Sequence, residues 1–114
     1  EIADNYVSGL KDITQIEVPI DKPNEFGVYH NFVVYAEKRD DLMQFLEKEY
    51  NVQTKIHYPV LLHLQPAAET LGYVKGDFPV AERLADKMMS LPIFPELTDA
   101  EVNYVISAIQ KFYQ

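Results

Sequence analysis

The run Val28–Ala36 (VYHNFVVYA) limits the possible folds of this chain more than any other stretch. It is rich in β-branched and aromatic residues and carries apolar groups on both faces, so a strand there needs cover on both sides. Arg39-Asp40-Asp41 then opens a helix with acidic residues in its first turn, where the macrodipole favours them. Leu42, Phe45, Leu46 and Tyr50 give that helix a stripe to bury, and Asn51 suits the left-handed conformation that closes helices. Beyond it Val52, Thr54, Ile56 and Tyr58 alternate with Gln53, Lys55 and His57, the pattern of a half-buried strand. The spacing therefore predicts a strand–helix–strand layer between Val28 and Tyr58.

The flanking segments add helices. Ile2, Tyr6, Val7 and Leu10 recur at helical spacing, which predicts a helix over 1–10, read as the tail of an inter-domain helix, with Gly9 near its end compatible with fraying there. The chain opens as though it continued something longer. Residues 11–27 are mostly connection, with a short strand expected at Ile16–Val18. Pro66 opens a short helix that Gly72 closes. Asp77 is the expected N-cap of the next helix, which should bury Val80, Ala81, Leu84, Ala85 and Met88 and end near Ser90. Leu91–Pro95 (LPIFP) holds too much proline for a helix and reads as extended. Thr98-Asp99-Ala100-Glu101 is a capping box, with Leu97 and Val102 as its hydrophobic staple. The final helix then shows Val102, Val105, Ile106, Ile109 and Phe112 on one face. These elements make one α+β domain over residues 1–114, a small sheet with helices packed on it.

Charge and composition remove several functions. Lys and Arg number 10 against 18 Asp and Glu, a net charge of −8 that argues against nucleic-acid and anionic-membrane partners. No apolar run reaches the roughly 18 residues that span a bilayer. The absence of cysteine excludes disulfides, thiolate metal sites and cysteine nucleophiles, and it is permissive of a reducing cytoplasm. His30, His57 and His63 lack metal-ligand spacing, so no metal is expected. Ser8, Ser90 and Ser107 lie outside any Gly-x-Ser-x-Gly turn, and the four glycines build no phosphate loop.

What remains is His57-Tyr58-Pro59-Val60-Leu61-Leu62-His63-Leu64-Gln65. It gathers two histidines, a tyrosine and a glutamine around a proline at a strand end, where scaffolds present binding groups. The residues leave two readings open. One is a binding loop built on His57, Tyr58, His63 and Gln65; the other is a satisfied surface loop whose leucines plug the core. Alternation sends His57 and Tyr58 to opposite faces, so they address one ligand only where a turn at Pro59 rotates the chain.

These segments also form an ordered series: Arg39-Asp40-x-Leu42, Thr54-x-x-His57-Tyr58-Pro59, His63-x-Gln65-Pro66, Leu71-Gly72-Tyr73-x-x-Gly76-Asp77-x-Pro79-x-Ala81-Glu82, and Ser90-Leu91-Pro92-x-x-Pro95-x-Leu97-Thr98. The series resembles the C-terminal small domain of the DegT/DnrJ/EryC1/StrS aminotransferases, from about Ile2 to Phe112. It departs where Leu61 stands for a frequent proline and Asn51 for a frequent glycine. The resemblance implies a fold-type-I enzyme whose large domain, absent here, carries the Schiff-base lysine and the pyridoxal phosphate contacts. It implies transfer of an amino group, as from glutamate, to a nucleotide-linked keto sugar by a cytoplasmic homodimer. The His57–Gln65 loop would form one wall of the sugar-nucleotide cleft, with His57, Tyr58, His63 and Gln65 binding substrate. No residue of this chain is expected to be catalytic or to hold the cofactor, and the 114 residues alone are not expected to transaminate. Two alternatives are a dehydratase relative, which differs at the absent lysine, and a free-standing, non-catalytic binding module.

Overall fold

The computed structural model describes residues 1–114. Strands β1 (Ile16–Glu17), β2 (Phe32–Ala36) and β3 (Met88–Leu91) form an antiparallel sheet in the order β1-β2-β3. Helices α1 (Ile2–Leu10), α2 (Arg39–Tyr50), α3 (Pro79–Lys87) and α4 (Asp99–Tyr113) surround it. Two 3₁₀ segments, Leu62–Leu64 and Pro66–Leu71, lie in the long passage between α2 and α3. The α+β expectation holds.

Strand β2 is the centre of the domain. Phe32, Val34 and Ala36 are buried, while Val33 and Tyr35 on the opposite face are half-buried, so the strand is covered on both sides as its composition requires. It is shorter than Val28–Ala36. Tyr29 turns to a positive φ of 48°, and Asp21 holds both the Gly27 amide (2.9 Å) and the Tyr29 hydroxyl (3.1 Å), curling residues 21–29 away from the sheet. Helix α2 begins at Arg39 and ends at Asn51, which takes φ 52° and ψ 33°. Leu42 and Leu46 are buried along it.

The partner of β2 differs from the expected one. Residues 52–56 keep their alternation, which breaks where His57 turns inward and Tyr58 outward, and the segment pairs only through Lys55 and Ser90, the two backbones exchanging hydrogen bonds of 3.2 and 2.7 Å. The neighbour of β2 is β3, with Phe32 opposite Leu91 and Tyr35 opposite Met88. Helix α3 accordingly stops at Lys87, not near Ser90, and Met88 is extended at φ −71°, ψ 130°. Arg39 explains part of the stop: its guanidinium donates to the carbonyls of Ala85 (2.7 Å) and Met88 (3.2 Å), satisfying acceptors that the helix end leaves free. Nor does Asp77 cap α3. Phe78 stands at the N-cap without a side-chain bond, and the Asp77 carboxylate instead accepts from the Val74 amide at 2.8 Å. No residue of α3 is fully buried, and Val80 and Ala81 are exposed.

Helices α1 and α4 form the other half of the core. The capping box of α4 is complete: Thr98 Oγ1 accepts from the Glu101 amide (3.3 Å), and the Glu101 carboxylate accepts from the Thr98 amide (2.9 Å). The Thr98 hydroxyl also donates to that carboxylate at 2.7 Å, and this bond first, then the amide bond, holds the Glu101 carboxyl below its usual range. Val102, Val105, Ile106 and Ile109 are buried against Ala3, Tyr6 and Leu10 of α1 and the leucines of α2. Full burial of each such large side chain stabilises by about 1.5–3 kcal/mol. The Tyr6 ring lies 5.0 Å from that of Phe32, and its hydroxyl donates to the Pro92 carbonyl at 2.8 Å, so the buried phenol is satisfied and its pKa is pushed up by burial. Helix α1 runs to Leu10 as its spacing predicts, and Gly9 is where α1 meets Ile106.

Candidate functional site

The loop from His57 to Gln65 leaves the sheet edge beside Ser90 and returns toward α3. The rotation that would reorient His57 and Tyr58 occurs at Tyr58 itself. Its φ is 60°, a left-handed value uncommon for a non-glycine residue and doubly so before proline. Strain of this kind persists only where the surrounding structure enforces it. His57 faces inward, its Nδ1 sharing a 2.9 Å hydrogen bond with the hydroxyl of buried Ser90. This ring borders an open groove of about 640 Å³ lined also by Asn31, Gln53, Lys55 and Tyr104. The Tyr58 side chain points the other way and is 76% exposed.

Tyr58 and Gln65 border one shallow hollow together with Pro59, Val60, Pro66 and Ala67. Gln65 closes the loop on itself, its amide nitrogen donating to the Val60 carbonyl at 3.1 Å. His63 is turned inward. Its Nε2 lies 3.0 Å from Glu82 Oε1, with side-chain exposures of 9% and 15%. An ionised carboxylate only accepts, so the imidazole Nε2–H is the donor. The ring also rests on Phe78, centroids 4.7 Å apart, and Phe78 meets Tyr73 edge-on at 5.1 Å. The structure thus brings Tyr58 to Gln65 and sets His63 on the neighbouring side of Gln65, while His57 lines a separate groove.

Glu82, quoted in the motif series but given no role there, is the residue that holds His63. Its carboxylate accepts from the Gly76 amide with both oxygens (2.8 and 3.0 Å) and from the Phe78 amide (3.4 Å), besides His63. The Gly76 bond first, then His63 and Phe78, hold its pKa below the usual carboxylate range against the opposing effect of desolvation. Pro79 three positions earlier marks a helix start, and an acidic residue in a first turn is a legible signal. Its bond to a histidine 19 positions away is not.

A Schiff-base lysine requires a desolvated pocket that lowers its basicity. Seven of the eight lysines here are exposed, and half-buried Lys87 faces Glu37 at 3.7 Å. These residues do not fit a pyridoxal phosphate site, and no chemical step is assigned to them. No three His, Asp or Glu side chains converge as metal ligands. No helix is long and apolar enough to cross a membrane.

Fold and site together define a small α+β domain that presents an ordered aromatic loop outward from a sheet edge. The chain belongs to the DegT/DnrJ/EryC1/StrS aminotransferase family, whose model matches residues 1–110. It is 41% identical over 109 residues to the erythromycin biosynthesis sensory transduction protein EryC1 of Saccharopolyspora erythraea, covering 96% of this chain and 30% of that protein. It is 36% identical over 111 residues to the dTDP-3-amino-3,4,6-trideoxy-α-D-glucose transaminase of Streptomyces venezuelae, covering 97% and 29%. Among solved structures, S. venezuelae DesV in complex with a ketimine intermediate matches with a TM-score of 0.92 at 35% identity, over 99% of this chain and 30% of that one. NtdA of Bacillus subtilis, with bound cofactor PMP, matches with a TM-score of 0.81 at 28% identity, over 96% and 26%. The chain spans less than a third of the length of these relatives.

Proposed function

We propose that these residues are the smaller domain of a pyridoxal-phosphate-dependent aminotransferase that delivers an amino group, from a donor such as L-glutamate, to a nucleotide-linked keto sugar. The intact enzyme is a cytoplasmic homodimer, and the cofactor is held by its larger domain. The observation that carries this reading is the match of almost the whole chain, in sequence and in fold, to about 30% of the length of enzymes and structures of that kind. Pyridoxal phosphate supplies the electron sink for such chemistry, and the protein supplies binding and orientation.

In this reading the His57–Gln65 loop forms one wall of the sugar-nucleotide cleft. Tyr58, held outward by its left-handed backbone, offers a hydroxyl to the sugar and a ring face to apolar atoms. His57 has one ring nitrogen committed to Ser90 and a second free to bond substrate. His63 and Gln65 act by shaping the loop, the first through Glu82 and the second through the Val60 carbonyl.

The test uses the full-length protein with pyridoxal phosphate, L-glutamate and a panel of dTDP- and UDP-linked keto sugars, reading 2-oxoglutarate release. Turnover with at least one sugar nucleotide supports the reading, and none across the panel ends it. Tyr58→Phe should raise the KM for the sugar nucleotide about two- to tenfold, the equivalent of about 0.5–1.5 kcal/mol for one hydrogen bond. An unchanged KM would remove Tyr58 from the site.

A further inference from the structure

Glu82 receives more hydrogen bonds than any other side chain in the loop region, and all of them come from residues that precede its helix. Gly76 and Phe78 donate their amides, and His63 donates its imidazole. Gly76 reaches it at φ 102°, a backbone conformation that favours glycine. The turn that carries these amides is tied a second time where Asp77 accepts from Val74. One carboxylate on α3 therefore anchors both ends of the passage from His63 to Phe78.

That passage buries little. Leu71, Tyr73 and Val74 within it are exposed, as are Tyr58 and Leu62 before it, and neither 3₁₀ segment contains a buried residue. Its order comes mainly from polar bonds and short turns, with the His63–Phe78–Tyr73 ring contacts beside them. The His63 ring is the link to the candidate site, because Gln65, two positions on, borders the hollow under Tyr58.

We propose that Glu82 is a positioning residue: by holding His63, Gly76 and Phe78 together, it fixes the His57–Gln65 loop in the shape that receives the sugar nucleotide. The inference rests on the functional reading above for its substrate, though not for the clamp itself. Glu82 touches no substrate; it acts through His63.

The experiment compares full-length wild type with Glu82→Ala and Glu82→Gln. Glutamine retains an oxygen that accepts from the Gly76 and Phe78 amides, and its amide nitrogen can donate to the other tautomer of His63. In Glu82→Ala the Leu64, Gln65, Gly76 and Phe78 amides should exchange with solvent about tenfold faster, while Val105–Ile109 in α4 keep their wild-type rates. The KM for the sugar nucleotide should rise several-fold, with the KM for L-glutamate nearly unchanged and the melting temperature lowered only modestly, since α4 keeps its exchange rates. Glu82→Gln should recover most of both effects. Unchanged exchange in the loop, or equal acceleration in α4, overturns the clamp. Faster loop exchange with an unchanged sugar-nucleotide KM, or a KM rise shared by both substrates, overturns the positioning role. A wild type that transaminates no sugar nucleotide removes the functional reading and the substrate half of this proposal, and the exchange rates then decide the clamp alone.

Discussion

Replacing Gly9 by alanine tests the packing of α1 on α4, because the two local effects of the change have opposite signs. A Cβ at Gly9 would lie 2.7 Å from Ile106 Cγ2, 2.8 Å from Cδ1 and 3.2 Å from Cγ1. Carbon pairs are comfortable at about 3.5–4.0 Å, so the deficit approaches 1 Å. Ile106 cannot simply swing aside: it is β-branched within a helix, where one χ1 rotamer dominates, and it is buried among other core side chains. Separating the helices would also stretch the bond from the Gln110 side chain to the Gly9 carbonyl, now 2.9 Å. Overpacking of this kind costs about 1–3 kcal/mol. Helix propensity opposes it, since alanine is better than glycine by up to about 1 kcal/mol. The net expectation for Gly9→Ala is a loss of about 0–2 kcal/mol, read from urea unfolding. The decisive measurement is the sign in a second background. Ile106→Ala removes the clashing atoms, and there Gly9→Ala should stabilise by up to about 1 kcal/mol, a coupling of about 1–3 kcal/mol between the two sites. Additive effects within about 0.5 kcal/mol, or a Gly9→Ala change that stabilises the otherwise unaltered protein, would refute the close approach.

Thr98→Ala should lower stability by about 1 kcal/mol, measured by urea unfolding, because it removes the acceptor for the Glu101 amide at the start of α4. An unchanged unfolding midpoint would mean that water replaces the cap at no cost. Acid should act in the same direction through Glu82 and Glu101. Both carboxyls titrate below their ordinary value of 4.5 when folded, so each contributes stability that is complete above that value and is lost as pH falls through the folded pKa. The urea midpoint should drop on acidification below about pH 4.5, and the double variant Glu82→Gln, Glu101→Gln should show a shallower drop than wild type. Parallel pH profiles for the two proteins would contradict the assignment.

Elements whose signals are local could be read from the chain directly. The capping box at Thr98, the acidic start and Asn51 end of α2, Pro66 and Gly72 around a short helical passage, and Ile16 in β1 each sit where their side chains alone place them. Pairing was not legible, because alternation states which face a residue takes but not which strand lies beside it. Residues 52–56 alternate as well as any strand does, yet the neighbour of β2 is Met88–Leu91, a stretch that continues a helical pattern until Arg39 takes the carbonyls of Ala85 and Met88. The close approach at Gly9 was hidden for a related reason: a glycine that loosens a helix end and one that lets a second helix approach look alike until Ile106 is in place. The candidate loop was legible as a cluster of residue types, and the need for a rotation was legible too. That the rotation falls at Tyr58, and that it parts His57 from the other three, depends on Ser90 and Glu82 far away in sequence.

The division between the two halves of the molecule follows from what each has to bury. The face made by α1, α2, α4 and β2 is closed by Tyr6, Phe32, Leu42, Leu46, Val102 and Ile109, all fully buried, and its order is set by packing that resists small displacements. The passage from Tyr58 to Val80 has no such interior. Its apolar side chains lie at the surface, Leu62 76% and Leu71 66% exposed, and its conformation rests on bonds made by Glu82, Gln65 and Asp77. Segments held this way open at lower free energy than a packed core, and binding loops are drawn from that end of the range. A loop fixed by a few directional bonds can keep one shape while empty and still shift when a ligand competes for one of those bonds. A loop fixed by burial could do so only by opening the core. On the role proposed for Glu82, its polar anchoring lets a chain this small combine a closed interior with an adaptable surface beside it.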